Sequence, residues 1–164
     1  MQLYRRKQDT DAFMELIEEN MQPMYKTAWA ILRNEEDVAD ALQETIVKSF
    51  ESLHTLRRPE FFKTWMMRIL INTCLQIRKQ RQRLLTFGDD LPEIPVEDSY
   101  DSDFGFKELL NMVGEEDRLL LTLYYADEFK VSEIAELLEM NVNTVKTRLS
   151  RAREKIRSIP VIQK

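Results

Sequence analysis

The sequence predicts an all-α protein of two small helical domains joined by a flexible acidic linker, and three observations carry that expectation. Only three Gly occur in 164 residues, so the left-handed turns and bulges of a β-rich chain have few residues to serve them. Apolar residues recur at helical rather than alternating spacing, among abundant Leu, Met, Glu, Lys, Arg and Gln. The charges fall in blocks: six acids and one base from Asn34 to Leu53, eight bases and one acid from Arg57 to Arg83, then seven acids and no base from Gly88 to Asp103. That last stretch, "GDDLPEIPVEDSYDSD", also holds two Pro and one Gly, the composition of a solvated linker. The expected division is a first domain over 1–84, a linker over 85–105, a second domain over 106–159 and a short tail over 160–164.

A first helical pattern runs from about Thr10 to Arg33, with Phe13, Leu16, Ile17, Met21, Met24, Tyr25, Ala28 and Leu32 on one side. Pro23 lacks an amide hydrogen and is expected to kink or break it. Asn34 is a candidate N-cap for the next helix, and Glu35, Glu36 and Asp37 suit the positive end of its dipole. Val38, Leu42, Ile46, Phe50 and Leu53 are its expected buried stripe. Asp37, Asp40, Gln43, Glu44, Lys48 and Glu51 then lie outside, either as a plain solvated face or as an acidic docking surface for a basic partner.

In "HTLRRPEFFKTW", Pro59 biases Arg58 towards extended backbone and is itself suited to open a helix. That helix is expected to bury Phe62, Met66, Ile69, Leu70, Thr73, Ile77 and Leu84. Its other side presents Arg68, Asn72, Gln76, Lys79 and Arg83, flanked by Arg78 and Arg81, with Trp65 nearby. Cations, planar amides and an aromatic suit a surface that neutralises phosphates while rings and amides meet bases. Against this stands a plainer reading, in which the cations keep the helix soluble and two of Phe61, Phe62 and Trp65 belong to the core.

The second unit opens with Phe106, Leu109, Leu110 and Val113 at helical spacing, closed by Gly114 as an expected C-terminal cap. "EEDRLLLTLYY" follows, with acids in its first turn and a Leu-rich face that reads as core. In "VSEIAELLEMNVNTVKTRLSRAREKI", Ile134, Ala135, Leu138, Met140 and Val145 fall where a helix-turn-helix needs apolar or small residues. Ala135 sits where two helices cross closely, and Asn141 caps the second of them. The turn carries Glu139 where such motifs often place a left-handed Gly, so it either avoids that conformation or accepts a cost of roughly 1 kcal/mol.

At about 100° per residue, Val145, Leu149, Ala152 and Ile156 share one face of that second helix. Almost opposite lie Asn143, Thr147 and Ser150. Lys146, Arg153 and Arg157 form one shoulder; Arg148, Arg151 and Lys155 form the other. Six cations stand against Glu154 alone from Asn141 to Ser158, whereas an ordinary solvated helix mixes acids among its bases. Small polar groups between cationic shoulders fit a helix laid in a DNA major groove.

Several classes are excluded. One Cys (Cys74) and one His (His54) cannot form a disulfide, a Cys–His zinc site or a Cys–His nucleophile pair within the chain. No Gly-rich phosphate loop and no HExxH pair occurs, so neither an enzyme nor a cofactor is expected. No apolar run is long enough for a membrane span and the N-terminus has no signal-peptide core, so membrane insertion is not expected and a cytoplasmic location is.

Taken in order, "NEEDVADALQETIVKSFESL", "RRPEFFKTWMMRILINTCLQIRKQR" and "VSEIAELLEMNVNTVKTRLSRAREKI" resemble the core-binding stretch, the minus-ten helix and the minus-thirty-five helix-turn-helix of RNA polymerase sigma factors. The resemblance is to the extracytoplasmic-function (ECF) type, the minimal two-domain members of the sigma-70 superfamily. It implies that Asp37, Asp40, Gln43 and Glu44 meet the clamp helices of the largest core polymerase subunit, and that the second domain also meets the polymerase flap. His54, Arg57, Arg58, Trp65, Arg68, Asn72, Gln76 and Lys79 would then face the opened minus-ten strand. Asn143, Thr144, Lys146, Thr147, Arg148, Ser150, Arg151 and Arg153 would contact the double-stranded minus-thirty-five element. Gln76 and the Arg57-Arg58 pair depart from the family's usual Asp and its polar or acidic residue. An anti-sigma factor is a further implied partner. The rival reading is a stand-alone helix-turn-helix regulator that binds its operator as a dimer.

Overall fold

The computed structural model describes residues 2–86, 108 and 110–158, and its described elements are helices and turns with no strand among them. The expected linker lies outside the described residues from 87 onward, as do Phe106 and Leu109.

Helix α1 spans Gln2–Glu19 and α2 spans Met21–Leu32. The expected single helix is thus two, separated at Asn20, and Pro23 falls in the first turn of α2, where its missing amide hydrogen costs nothing. Phe13, Ile17, Met24 and Ala28 are buried as the spacing requires, while Leu16, Met21, Tyr25 and Leu32 are half-buried. Arg33 ends α2 in the left-handed region, φ 53°, and returns its amide to Trp29 O.

Helix α3 spans Glu35–Glu51, and the Asn34 side chain caps it by accepting the Asp37 amide at 3.0 Å. Its buried face is Val38, Ala41, Thr45 and Ser49, which corrects the expected stripe. Leu42, Ile46 and Leu53 are only half-buried, and Phe50 is 48% exposed with its ring edge-on to Phe13. Small residues let α3 approach α2 and α4 closely, and that close approach displaces the larger side chains to the rim.

Two 3-10 turns, Leu53–Thr55 and Pro59–Phe61, lead into α4, Phe62–Thr86. Phe62, Met66, Leu70 and Thr73 are buried as expected, joined by Met67, Ile71 and Cys74. Ile69 and Ile77 are only half-buried and Leu84 is exposed, which corrects the expected stripe at these three positions.

In the second unit, α5 spans Glu115–Leu121 and runs on as a π turn over Thr122–Ala126. Gly114 does not cap the preceding helical turn in the left-handed conformation: its φ of −68° is extended, and it stands as the N-cap of α5. The end of that preceding turn is held instead by buried Arg118, whose Nε donates to the carbonyls of Leu110 at 2.8 Å and Val113 at 3.1 Å. Leu120, Leu121 and Leu123 are buried, as expected of core, while Tyr125 is half-exposed. Helices α6, Val131–Leu137, and α7, Val142–Arg157, form the helix-turn-helix. Ile134, Ala135 and Val145 are buried and Leu138 and Met140 pack against them. Glu139 takes the left-handed turn after all, at φ 53°.

Helices α2, α3 and α4 pack on one another, α5 and α6 both pack on α7, and the two sets meet where α2 lies on α5 and its π turn and α4 lies on α6. Their apolar residues form one continuous core from Phe13 to Ala152.

Candidate nucleic-acid interface

Helix α7 folds as the wheel requires. Val145, Leu149 and Ala152 are buried and Ile156 half-buried, which leaves Asn143, Thr144, Lys146, Thr147, Ser150 and Arg151 exposed. Asn141 Oδ1 accepts the Asn143 amide at 2.8 Å, fixing where the helix starts and therefore which residues face outward. Thr147 turns its hydroxyl back to Asn143 O at 2.9 Å, so its methyl group faces out.

The shoulders are partly engaged within the unit, which sequence reading did not foresee. Arg148 pairs with Glu116 at 2.8 Å and Lys155 with Asp117 at 3.3 Å, both acids of the first turn of α5. Arg153 lies over the rings of Tyr124 and Tyr125, 5.2 and 5.6 Å from their centres, and donates from Nε to the Tyr125 hydroxyl at 2.5 Å. Acids 32 and 38 residues away in sequence carry no periodic signal toward α7; only the fold brings them there.

Arg68, Asn72, Gln76 and Lys79 form an exposed stripe along α4, and His54, Arg57 and Arg58 are exposed in the segment leading to it. Trp65 is half-buried, its ring 5.8 Å from that of Phe62, while Phe61 is 55% exposed. Phe61 is thus the most exposed aromatic of this segment, where the sequence left open which two of Phe61, Phe62 and Trp65 belong to the core. Arg68 also reaches α6, with Nη2 3.4 Å from Glu136 O and 3.7 Å from its carboxylate.

On α3, Asp40, Gln43 and Glu44 are exposed, Glu44 with an i,i+4 partner in Lys48 at 2.8 Å. Asp37 is half-buried and paired with Arg81 of α4, so it stands apart from the other three. Two buried acid groups are perturbed: desolvation pushes the Cys74 thiol up to about 12, against a smaller lowering by Arg78. Desolvation likewise pushes the Asp127 carboxyl up to about 7, opposed by its Thr27 hydrogen bond and by Lys63 and Lys26. No group of metal-ligating side chains occurs among the described residues.

The family model of Sigma-70 region 2 matches residues 16–84 and that of Sigma-70 region 4 matches residues 105–156. The RNA polymerase sigma factor SigV of Bacillus subtilis is 32% identical over 152 residues, 90% of this chain and 91% of the relative. The ECF RNA polymerase sigma factor SigW of the same organism is 27% identical over 171 residues, 93% of this chain and 90% of the relative. The chain belongs to the RNA polymerase sigma factors of the ECF type.

The fold of this sigma factor is similar to that of RpoE from Bartonella quintana, solved with the anti-sigma factor NepR. The TM-score is 0.80 at 21% identity, covering 93% of this chain and 99% of the other. CnrH, solved with the cytosolic domain of CnrY, is similar at a TM-score of 0.65 and 22% identity, covering 91% and 87%. The stripe of α4 lies within the region 2 match, and α7 up to Ile156 within the region 4 match.

Proposed function

We propose that this sigma factor works as a two-handed adaptor between core RNA polymerase and a promoter. Its first domain, residues 1–84, docks through Asp40, Gln43 and Glu44, with Asp37 at the edge, on basic clamp helices of the largest polymerase subunit. The stripe Arg68, Asn72, Gln76 and Lys79, with Trp65 and the His54, Arg57 and Arg58 segment, lies along the opened minus-ten strand. The second domain, residues 106–159, lays α7 in the major groove of the minus-thirty-five element, with Asn143, Thr144, Thr147 and Ser150 towards base edges. Lys146, Arg148, Arg151 and Arg153 then meet phosphates, and the same domain meets the polymerase flap. The acidic linker, 85–105, passes between them through the polymerase.

One observation carries this reading: an exposed acidic face, an exposed basic stripe and a groove-shaped basic helix occur in one chain within the region 2 and region 4 matches. Two weak grips on one polymerase gain affinity through effective concentration, so binding to isolated DNA is expected to be weak. The role is one of binding and positioning, without an enzymatic step, and the expected location is the cytoplasm; no described helix is long and apolar enough to cross a membrane. The complex of the similar RpoE with NepR supports an anti-sigma partner here too. A stand-alone dimeric regulator would need neither the acidic face of α3 nor a region 2 unit.

Run-off transcription by purified core polymerase, with and without the protein, tests the proposal. Initiation at a family-type promoter only when the protein is added is the expected result. Equal initiation in its absence, or tight operator binding by the protein alone, would overturn it.

A further inference from the structure

The π turn over Thr122–Ala126 is closed by the Asp127 amide on Thr122 O at 3.0 Å, and turns of this width are rare and concentrate at functional sites. This one presents Tyr124 and Tyr125 side by side, their ring centres 4.9 Å apart and their planes at 84°. The Arg153 guanidinium of α7 lies 5.2 Å from the centre of the first ring and 5.6 Å from that of the second, and its Nε donates to the Tyr125 hydroxyl at 2.5 Å. Tyr124 is half-buried. Tyr125 is 50% exposed and stands at the surface beside Arg153, on the shoulder that also carries Lys146 and Arg157.

Arg153 is held differently from the two cations of α7 that pair with acids. Glu116 pairs with Arg148 and Asp117 with Lys155, so each of those cations has to leave a carboxylate before it meets a phosphate. Two rings and a hydroxyl fix Arg153, none of them charged, and no carboxylate pairs with it among the described residues. Its long side chain is therefore ordered before DNA arrives while its positive charge stays available, which lowers the entropy cost of binding. A guanidinium has five N–H donors, and the bond to the tyrosine uses only the one on Nε. The Tyr125 oxygen accepts that bond through a lone pair and keeps its own proton to donate. A cationic donor and a neutral one thus stand together at the surface, and an anion with two acceptor oxygens can engage both.

We propose, building on the placement of α7 in the major groove, that Tyr125 is a DNA-contacting residue whose hydroxyl, together with the Arg153 guanidinium, clasps one backbone phosphate of the minus-thirty-five element. Arg153 supplies the charge; the hydroxyl bonds the phosphate and holds the guanidinium beside it. A phosphate is the same beside every base pair, so the clasp strengthens binding and sets its register without selecting sequence.

Core polymerase carrying the full-length factor is titrated by fluorescence anisotropy against a family-type promoter fragment. Companion fragments replace one phosphate of the upstream element at a time by a neutral methylphosphonate. Tyr125→Phe keeps the ring beside Arg153 and removes only the hydroxyl, and thermal melts establish that it folds as the wild type does. It is expected to weaken binding about fivefold to tenfold, equally for matched and mismatched upstream sequences, with an unchanged salt slope because no charge is lost. Arg153→Gln is expected to weaken binding and to lower the salt slope by about 1. At one and the same phosphate, methylphosphonate is expected to abolish the effect of both substitutions, a coupling that a purely structural role of Tyr125 would not produce. Wild-type affinity in Tyr125→Phe overturns the clasp, as does a loss that is the same on every methylphosphonate fragment. Lys146→Ala and Arg151→Ala separate the clasp from the placement of α7. Loss in these two with none in Tyr125→Phe rejects the clasp alone, whereas no loss in any of the four variants rejects the groove placement and the clasp with it.

Discussion

Arg148 Nη1 lies 2.8 Å from Glu116 Oε2, tying one shoulder of the recognition helix to the first turn of α5. Both groups keep much of their solvent contact, with side chains 40% and 77% exposed, so the pair adds little to stability. Its effect falls on DNA binding, because the carboxylate competes with phosphate for the same guanidinium. Glu116→Gln is expected to change stability by less than about 0.5 kcal/mol and to tighten minus-thirty-five binding roughly twofold to fivefold. Thermal melts and fluorescence anisotropy with the polymerase complex measure the two effects, and weaker DNA binding would contradict the assignment of Arg148 to phosphate.

Lys146 and Arg151 sit on opposite shoulders and are both exposed. Lys146→Ala and Arg151→Ala are expected to weaken promoter binding about equally for matched and mismatched upstream sequences. Each should also lower the slope of log affinity against log salt by about 1. Promoter binding left unchanged by both substitutions, in the presence of polymerase, would reject the orientation of α7.

Asp40 and Glu44 are one helical turn apart on the exposed face of α3. Reversing both to Lys is expected to abolish co-elution with core polymerase while leaving the melting temperature nearly unchanged. Asp37 is a poorer probe, since its pairing with Arg81 links α3 to α4 and its loss would perturb the fold as well. Retained co-elution of the double reversal would remove this face from the docking surface.

Glu139 stands at φ 53° in the turn between α6 and α7, a conformation in which a Cβ crowds the following carbonyl oxygen. Glu139→Gly relieves that crowding but adds freedom to the unfolded chain, so the expected net gain is only about 0.5 to 1 kcal/mol. A higher urea midpoint at unchanged slope would register it, and a lower midpoint would show that the Glu139 side chain makes a compensating contact.

The α7 face was legible because period, cap and burial agree there: Val145, Leu149 and Ala152 fall one per turn, and Asn141 marks the start. The α3 face was misread for a physical reason. Hydrophobicity ranks Phe50 above Ser49, yet at a close helix crossing a small side chain is admitted and a ring is not. Gly114 was read from its conformational freedom alone, but the helical turn before it is closed by Arg118 from farther along the chain. The pairing of Glu116 with Arg148 and of Thr27 with Asp127 joins residues 32 and 100 apart, and no local pattern encodes such contacts.

Ala135 is 5% exposed in the helix-turn-helix, where α6 packs on α7, and Met140 returns its amide to the Ala135 carbonyl at 2.9 Å. A longer side chain at this buried crossing is expected to push α7 away from α6 or tilt it. Ala135→Leu is expected to destabilise the second unit by about 1 to 3 kcal/mol. It should also displace the shoulders of α7 relative to the groove, weakening upstream-element binding more than loss of a single cation does. Urea unfolding and promoter binding measured on the same variant decide the matter: full stability with full binding would mean that α6 and α7 do not cross closely at Ala135.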